Sequence, residues 1–283
     1  AVAVDRSNNT DPWLILFLLL AAAVALRGRG LSLVVAMALV GVAFNVKMAA
    51  ALVAAPAILG AWLLSGTLEP GRRLGWMAAA AGALVVVSLS WSVVFDLTPK
   101  SLRPYAGSSK TNSMLELAVV HNGLERFVLD RPAAPVADPA DAATAAPAAP
   151  RFPLHDAVPV GPLRLAQPTL AMQVAWTFPL AVLGALLAWR RRRAIVALWS
   201  LWLLAYGVVF SAAGGIFHAY YLATLGPPLA ALAGIGCFEL WRRGPNALAL
   251  GLALTAAWQA WIAGATLGWD SIWLGFPAVG LLA

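Results

Sequence analysis

Residues 76–95, WMAAAAGALVVVSLSWSVVF, decide the fold class because they form a long apolar stretch without a charged residue. A helix needs about 20 apolar residues to cross the hydrocarbon core of a bilayer. Lipid offers the backbone no hydrogen-bond partner, so a stretch of this kind has to be helical. Arg72 and Arg73 precede the stretch, and Asp96 follows it directly. The pattern therefore predicts a transmembrane helix with charged residues at both ends.

The rest of the chain repeats this pattern. Of its 283 residues, 61% are hydrophobic and only 11% are charged, a composition that a single soluble domain cannot bury. We predict an all-α, polytopic membrane protein with about eight transmembrane helices and one large extracytoplasmic loop. The predicted spans cover residues 13–26, 31–46, 48–65, 76–95, 170–189, 194–212, 217–240 and 247–265.

The spans divide the chain into four regions. Residues 1–95 carry the first four spans, and residues 96–169 form the outer loop. Residues 170–265 carry the other four spans, and residues 266–283 form an outer tail or the start of a further span. The chain starts without Met and ends within an apolar run, so we expect it to be part of a longer protein.

The basic residues indicate how the chain crosses the membrane. A net charge of +7 would suit a nucleic-acid partner, but the arginines form short clusters between apolar segments rather than one continuous face. Such clusters are typical of cytoplasmic turns, and we predict no nucleic-acid partner. The clusters are Arg27 with Arg29, Arg72 with Arg73, Arg190 to Arg193, and Arg242 with Arg243. The clusters fall on alternate turns of the chain, so we predict that these turns face the cytoplasm. Residues 96–169 and both chain ends are then predicted on the outer face.

The outer loop begins with the most polar part of the chain, residues 96–127, DLTPKSLRPYAGSSKTNSMLELAVVHNGLERF. This stretch is either an ordinary solvated loop or the surroundings of a site. Residues 112–128 predict a short amphipathic helix on the membrane surface, in which Ser113 caps the helix and Glu116 follows three residues later. Residues 131–150 are almost wholly Ala, Pro and Asp, which predicts a disordered or extended insertion.

Two acidic residues stand before the first span. Asp5 and Asp11 are predicted at the outer interface, where paired carboxylates can hold a divalent metal or act as acid and base. The structural alternative is a helix start, because Asp11 followed by Pro12 is typical of a cap with proline in the first turn. The two roles can coexist.

Lys47 interrupts an otherwise apolar region and has to find an anion, a carboxylate or the interface. It could bind a lipid phosphate, and its structural alternative is a turn residue whose ammonium extends to the interface. The single Cys237 excludes a disulfide framework and a cysteine metal site.

Two further groups combine a cation with an aromatic ring. Arg103 offers donors suited to a phosphate or carboxylate beside Tyr105, and its alternative is a surface salt bridge. His218 and Tyr220 stand where the chain re-enters the membrane, a position where aromatic residues usually anchor the interface. The three histidines are too scattered for a zinc site. The sequence contains no glycine-rich nucleotide loop and no nucleophile elbow, which excludes cytosolic nucleotide-driven chemistry.

Four blocks of sequence resemble the bacterial family 39 glycosyltransferases, the group that includes protein O-mannosyltransferases and the aminoarabinose transferase. They are DRSNNTDPWLILFLLLAA (5–22), VGVAFNVKMAAALVAAPA (40–57), LSWSVVFDLTPKSLRPYAGSSKTNSMLELAVVHNGLERF (89–127) and AGGIFHAYYLATLGPPLAALAGIG (213–236). The resemblance covers nearly the whole chain apart from the Ala/Pro insertion, and the third block is the most specific. It implies the membrane-embedded GT-C fold in the bacterial plasma membrane.

The resemblance also implies a reaction and its partners. A polyprenyl-phosphate-linked sugar, mannose-like, would be transferred to a lipid, protein or cell-envelope glycan on the extracytoplasmic side. Family members carry an acidic pair, usually Asp-Glu, in the first outer loop, and this sequence does not contain that loop, which puts the catalytic base in doubt. The competing class is a non-enzymatic membrane protein such as a lipid carrier, a flippase or a transporter subunit.

The resemblance implies roles for individual residues. Asp5 and Asp11 would lie near the acceptor, with Asp11 also a ligand of a divalent metal. The cations would lie near the lipid phosphate, and the tyrosines would line the sugar pocket. These substrate-binding residues are Lys47, Arg103 and His218 for the phosphate, and Tyr105 and Tyr220 for the sugar.

Overall fold

The computed structural model describes residues 9–66, 68–126, 158–213 and 217–269. These ranges form helices and connecting turns without a β-strand, which confirms the all-α class. The α-helices are α1 (Asp11–Ala25), α2 (Gly30–Lys47), α3 (Ala49–Leu52), α4 (Ala55–Ser65), α5 (Pro70–Leu97), α6 (Met114–Glu116), α7 (Pro168–Val174), α8 (Phe178–Ala188), α9 (Arg193–Ala212), α10 (Gly226–Trp241) and α11 (Pro245–Leu267). A π-helical turn covers Leu117–His121, and 3-10 turns cover Leu124–Arg126, Arg164–Ala166, Ala175–Thr177 and Ala219–Leu225.

Within the described ranges, six helical segments are long and apolar enough to cross a membrane, so the protein is a multi-pass membrane protein. They are Gly30–Lys47, Pro70–Leu97, Pro168–Ala188, Arg193–Ala212, Ala219–Trp241 and Pro245–Leu267. The other two predicted spans are helical but shorter. α1 has 15 residues, and a turn at Val53 and Ala54 separates α3 from α4. The structure thus supports six spans, and a total of eight stays a prediction.

The bundle is held by helix pairs that pack along much of their length. α2 packs against α1 and α5, α8 packs against α10, and α4 packs against α9, which joins the two halves. The contact of α8 with α10 depends on Gly184 and Gly236, because a Cβ on either would overlap the backbone of the opposite helix. Small residues let membrane helices approach closely, and this close packing replaces the hydrophobic effect that lipid removes.

Four aromatic rings form a column along α9. Adjacent ring centroids are separated by 5.8 Å from Trp199 to Trp202, 6.2 Å from Trp202 to Tyr206, and 5.6 Å from Tyr206 to Phe210. The spacing of three or four residues places them on one face of the helix. Trp202 and Tyr206 are fully buried. The column therefore runs through the core toward the end of α9 at Ala212.

The helix break between α7 and α8 is stabilised by α11. Backbone carbonyls freed within a membrane span need other donors. The indole of Trp258 donates to the carbonyl of Ala175 at 2.7 Å, and the Gln259 amide donates to the carbonyl of Trp176 at 2.9 Å. Side chains of α11 thus donate hydrogen bonds to carbonyls at the break between α7 and α8.

The arginine clusters meet in pairs at the ends of helices. Arg73 donates to the carbonyl of Gly66 at 2.9 Å, and Trp62 donates to the carbonyl of Arg29 at 2.8 Å, so the first two clusters share one end. Arg192 and Arg242 both lie over the ring of Phe238, at 5.4 and 5.8 Å. The third and fourth clusters therefore also share an end. Which face of the membrane they occupy stays a prediction.

The predicted amphipathic helix over residues 112–128 is wrong in length. α6 covers only Met114–Glu116, and the π-helical and 3-10 turns follow it. The Ser113 cap is confirmed, because its hydroxyl accepts from the Glu116 amide at 3.1 Å. The Glu116 carboxylate turns back to Thr111 and to the amide of Lys110, and these bonds, with the Thr111 hydroxyl first, lower the pKa of Glu116. These bonds hold the residues before Ser113 against the start of α6. The Ala/Pro insertion lies outside the described residues.

Candidate functional site

A cavity of about 180 Å³ opens where α1, α2, α9 and the segment before α10 come together. Most of its wall is apolar, and a few polar side chains point toward one region, which is typical of a small-molecule site. The lining residues are Asp11, Leu14, Lys47, Ala49, Ala50, Val53, Asn122, Gly123, Tyr206, Val209, Phe210, Ala213, Phe217, Tyr221 and Thr224. Residues separated by up to 213 positions thus form one site.

The cavity contains a buried ion pair. Lys47 Nζ lies 2.5 Å from Asp11 Oδ2, and the Asp11 side chain is only 1% exposed. Asp11 is the first residue of α1 and makes no capping hydrogen bond, since the residue before it, Thr10, occupies the cap position. The capping interpretation of Asp11 is therefore wrong in its detail, although a negative charge in the first turn still suits the helix dipole.

One oxygen of Asp11 has no hydrogen bond. Asp11 Oδ1 is buried and finds no donor among the residues that the structure describes. Leaving a buried acceptor unsatisfied is costly, so such atoms in native proteins call for an explanation. In a cavity wall, this oxygen is placed to accept a proton or a hydrogen bond from a molecule that enters.

Lys47 lies beside two aromatic rings. It is the last residue of α2, and the chain turns sharply at Met48, whose φ is 40°. The ammonium is 5.0 Å from the centroid of Tyr220 and 4.5 Å from that of Tyr221. A cation in this position is stabilised by the aromatic faces. Lys47 therefore contacts a carboxylate and an aromatic wall inside the protein, rather than simply extending to the interface.

His218, Tyr220 and Tyr221 form one aromatic cluster. The His218 ring stacks on Tyr220 at 5.1 Å, and Tyr221 meets both rings edge-on at 5.3 and 4.8 Å. Tyr221 lines the cavity, Tyr220 stands beside Lys47, and His218 packs against both tyrosines. The structure thus brings together four of the predicted residues, Asp11, Lys47, His218 and Tyr220, and adds Tyr221.

Arg103 and Tyr105 lie in the loop that follows α5 rather than in the cavity wall. The Arg103 side chain is 6% exposed, 3.3 Å from Asp96 Oδ1, and 3.2 Å from the carbonyl of Phe95. Arg103 thus makes a buried pair rather than the surface salt bridge considered above. Tyr105 is 73% exposed and donates to the carbonyl of Ser109 at 3.1 Å. Their roles toward a substrate stay predictions.

The Arg103 pair nevertheless connects to the cavity through Asp96. The Asp96 carboxylate also accepts from the Ser113 hydroxyl at 2.7 Å and from the Met114 amide at 2.9 Å. These bonds anchor the start of α6, and Asn122, in the turn that follows, lines the cavity. The polar loop therefore forms part of the site through Asn122, while Arg103 and Asp96 support the loop.

Sequence reasoning missed several of the residues that shape the cavity. Asn122 donates to Met48 Sδ at 3.0 Å, and the Tyr206 hydroxyl donates to the carbonyl of Ala50 at 2.8 Å. Asn122 was visible as one polar residue among many, and Tyr206 sits in an apolar run. A hydroxyl or amide inside a membrane protein needs a partner, but that signal does not identify the partner.

The described part of the cavity offers one carboxylate, that of Asp11, to a divalent metal. These residues contain no group of three or more His, Cys, Asp or Glu side chains that could hold an ion. Calcium and magnesium take about six or more ligands, mostly oxygen, and one oxygen of the Asp11 carboxylate already accepts from Lys47. Asp5, the other acidic residue predicted for this site, lies outside the described residues.

One family model and two known proteins are similar to this chain. Residues 1–91 match the family model described as Dolichyl-phosphate-mannose-protein mannosyltransferase. Two proteins of Bacillus subtilis (strain 168) are similar over nearly all of the chain. Putative mannosyltransferase YycA is 31% identical over 97% of this chain and 52% of its own length. Putative mannosyltransferase YkcB is 33% identical over 93% of this chain and 47% of its own length.

The chain therefore spans about half the length of these curated relatives. No solved structure matches the chain. The family match includes α1, α2 and the Asp11–Lys47 pair. The resemblance to the family 39 glycosyltransferases is thus confirmed, and the chain is similar to mannosyltransferase-like membrane glycosyltransferases.

Proposed function

We propose that this protein takes part in transferring a mannose-like sugar from a polyprenyl phosphate to a hydroxyl acceptor on the extracytoplasmic face of the bacterial plasma membrane. The acceptor would be a lipid, a protein or a cell-envelope glycan. The observation that carries the proposal is the buried Asp11 carboxylate in the cavity wall, with Oδ2 on Lys47 and Oδ1 without a donor among the described residues.

Asp11 is assigned as the general base. An acceptor hydroxyl that enters the cavity can donate its hydrogen bond to Asp11 Oδ1. As the acceptor oxygen bonds to the anomeric carbon of the sugar, its proton passes to Asp11, and the bond from that carbon to the phosphate oxygen breaks. The polyprenyl phosphate leaves with the electron pair of the broken bond. General-base catalysis of this kind contributes about 100-fold to 10,000-fold in rate.

Lys47 is assigned to the phosphate. The leaving group gains negative charge, and a fixed cation near it lowers the barrier. Lys47 is a compact ammonium with three donors, so it can serve the Asp11 carboxylate and a phosphate oxygen together. His218, which stacks on Tyr220 beside the ammonium, is assigned to the same phosphate.

The tyrosine rings are assigned to the sugar, because aromatic faces provide rigid apolar contact area beside polar tips. Tyr220 and Tyr221 supply such faces next to Lys47. Arg103 is assigned to supporting the outer loop through Asp96, and a direct phosphate contact stays a prediction, as does a sugar contact of Tyr105. A divalent metal also stays a prediction and depends on Asp5.

A non-enzymatic carrier or flippase is the weaker alternative. Transporter sites lie near the bilayer midplane between broken helices, whereas the Asp11–Lys47 pair lies at the first residue of α1 and the last of α2. Both curated relatives are named as mannosyltransferases. These observations favour an enzyme.

The test is Asp11→Asn in the full-length protein, with Glu239→Gln as the matched control. Glu239 is also a buried carboxylate, 2% exposed and 3.0 Å from Arg243, but it lies roughly 20 Å from the start of α10 by the helical rise. Both variants neutralise a buried, paired acid, so both should lose some stability. Only Asp11→Asn should lower transfer, by about 100-fold or more.

The assay follows radiolabelled mannosyl polyprenyl phosphate in proteoliposomes, with a cell-envelope extract as acceptor, and counts label transferred per folded protein. Thermal unfolding of each variant gives the correction for folded protein. Transfer by Asp11→Asn equal to that of Glu239→Gln would exclude Asp11 as the base. No transfer by the unaltered protein would exclude this donor.

A further inference from the structure

Arg164 is a buried cation where the outer loop returns to the bundle. Its side chain is 5% exposed, and Nη1 donates to the carbonyls of Phe210 at 3.0 Å and Ala213 at 2.6 Å. These carbonyls belong to the last turn of α9 and the residue after it, where a helix leaves carbonyls unpaired. A cation at this end also suits the helix dipole. Arg164 therefore fixes the end of α9.

The groups that Arg164 contacts belong to the cavity wall. Phe210 and Ala213 line the cavity, and so does Phe217, whose ring centroid lies 4.4 Å from the guanidinium carbon of Arg164. A single side chain thus joins two parts of the wall, the end of α9 and the segment leading to Ala219–Leu225. Arg164 itself does not belong to the cavity lining.

Aromatic contacts extend from Arg164 to Lys47. The Phe217 ring meets Tyr221 edge-on at 6.0 Å, and the Phe210 ring stacks on Tyr221 at 6.4 Å. Tyr221 in turn lies 4.5 Å from the ammonium of Lys47. Because close-packed side chains transmit displacement to their neighbours, the position of Tyr221 beside Lys47 depends on Phe210 and Phe217.

Burying the Arg164 guanidinium in this arrangement costs free energy. Within the described ranges it has no carboxylate partner, and its Nε is buried without an acceptor. Burial lowers the pKa of the Arg164 guanidinium, although an arginine remains charged. A neighbouring bond from the Gly161 amide to the carbonyl of Ser211, at 3.0 Å, holds the segment that carries Arg164 to the end of α9 without a charge. Joining the segments therefore does not by itself require the arginine.

We propose that Arg164 is a positioning residue for the candidate site: its guanidinium holds Phe210, Ala213 and Phe217 so that Tyr221 stays against Lys47. The catalytic part of this inference rests on the proposed function, whereas the positioning part does not. A guanidinium can donate to two carbonyls from one nitrogen while its face lies on a ring, and an ammonium cannot reproduce that geometry.

The experiment compares Arg164→Lys with Arg243→Lys in the full-length protein. Arg243 is the matched control because its Nη1 also bonds to a helix carbonyl, that of Glu239 at 2.6 Å. With mannosyl polyprenyl phosphate as donor, Arg164→Lys should lower kcat on the order of tenfold to 100-fold, since small displacements of reacting groups have effects of this size. Arg243→Lys should leave kcat unchanged, because Arg243 contacts none of the residues that line the cavity.

A second measurement does not depend on transfer. In a Cys237→Ala background, Ala213→Cys introduces a thiol at the wall that Arg164 holds, and Ala188→Cys introduces one at a fully buried position in α8. Arg164→Lys should raise maleimide labelling of the first thiol about tenfold, because the lost charged hydrogen bonds make local opening easier. It should leave the second thiol unchanged.

The two measurements separate the hypotheses. Increased labelling at position 213 without any transfer by the unaltered protein would support positioning and contradict the proposed donor. Unchanged labelling together with unchanged kcat would overturn the role of Arg164. Equal increases at positions 213 and 188 would mean general loosening of the fold, and would also overturn it.

Discussion

Asp11 and Lys47 illustrate how a charged pair can persist at the end of a membrane helix bundle. Removing a carboxylate from water is costly, and a close partner of opposite charge offsets part of that cost. Asp11 is almost completely buried, whereas Lys47 is 21% exposed. Lys47 therefore keeps some access to water or to a ligand, while the burial of the Asp11 carboxylate depends on its contact with Lys47.

This dependence predicts the effect of removing the cation alone. Lys47→Met should lower the free energy of unfolding by about 3 kcal/mol, because it leaves a buried carboxylate unpaired. Adding Asp11→Asn to Lys47→Met should restore part of that loss. Denaturant unfolding in detergent, arranged as a double-mutant cycle, measures the coupling. If the free-energy losses of Lys47→Met and Asp11→Asn simply added in the double variant, the dependence of Asp11 on Lys47 would be contradicted.

Helix packing depends on where small residues stand, and α10 offers a direct comparison. A Cβ on Gly236 would lie 2.2 Å from the carbonyl oxygen of Leu180 on α8, whereas Gly234 has open space around it. Gly236→Ala should therefore separate α8 and α10 and cost about 1–3 kcal/mol. Gly234→Ala should be neutral or slightly stabilising, because alanine is the better helix former. Thermal unfolding in detergent measures both variants, and equal Tm values would show that α8 and α10 do not pack this closely.

The orientation of the whole molecule follows from its arginine clusters, which the structure joins in pairs at helix ends. Cytoplasmic turns carry an excess of Lys and Arg, so residue 109 in the outer loop should be accessible from outside and residue 244 should not. In a Cys237→Ala background, Ser109→Cys should react with an impermeant maleimide in intact cells, and Gly244→Cys should react only after the membrane is opened. The reverse pattern would invert the proposed topology and place the Asp11–Lys47 cavity on the cytoplasmic side.

The sequence by itself determined the helical class and the approximate place of the six spans that the structure supports. Lipid leaves the backbone no partner outside a helix, so apolar runs such as residues 76–95 have one permitted structure. It also identified Asp11, Lys47, His218 and Tyr220 as candidates, because polar groups are rare and costly beside apolar spans. The α-helix after Ser113 is shorter than predicted because the chain continues from Leu117 as a π-helical turn, which the spacing of apolar residues does not distinguish from an α-helix.

Only the tertiary structure decided which of these residues meet. Asp11 and Lys47 are 36 positions apart, and Tyr221 joins them from the far half of the chain. Arg103 was predicted for the same site, yet its contacts are with Asp96 and Phe95, and Arg164 was not predicted at all. Hydropathy records whether a side chain tolerates lipid. Which residue a side chain contacts is decided by how the helices pack, and that packing depends on shape and on contacts between distant residues.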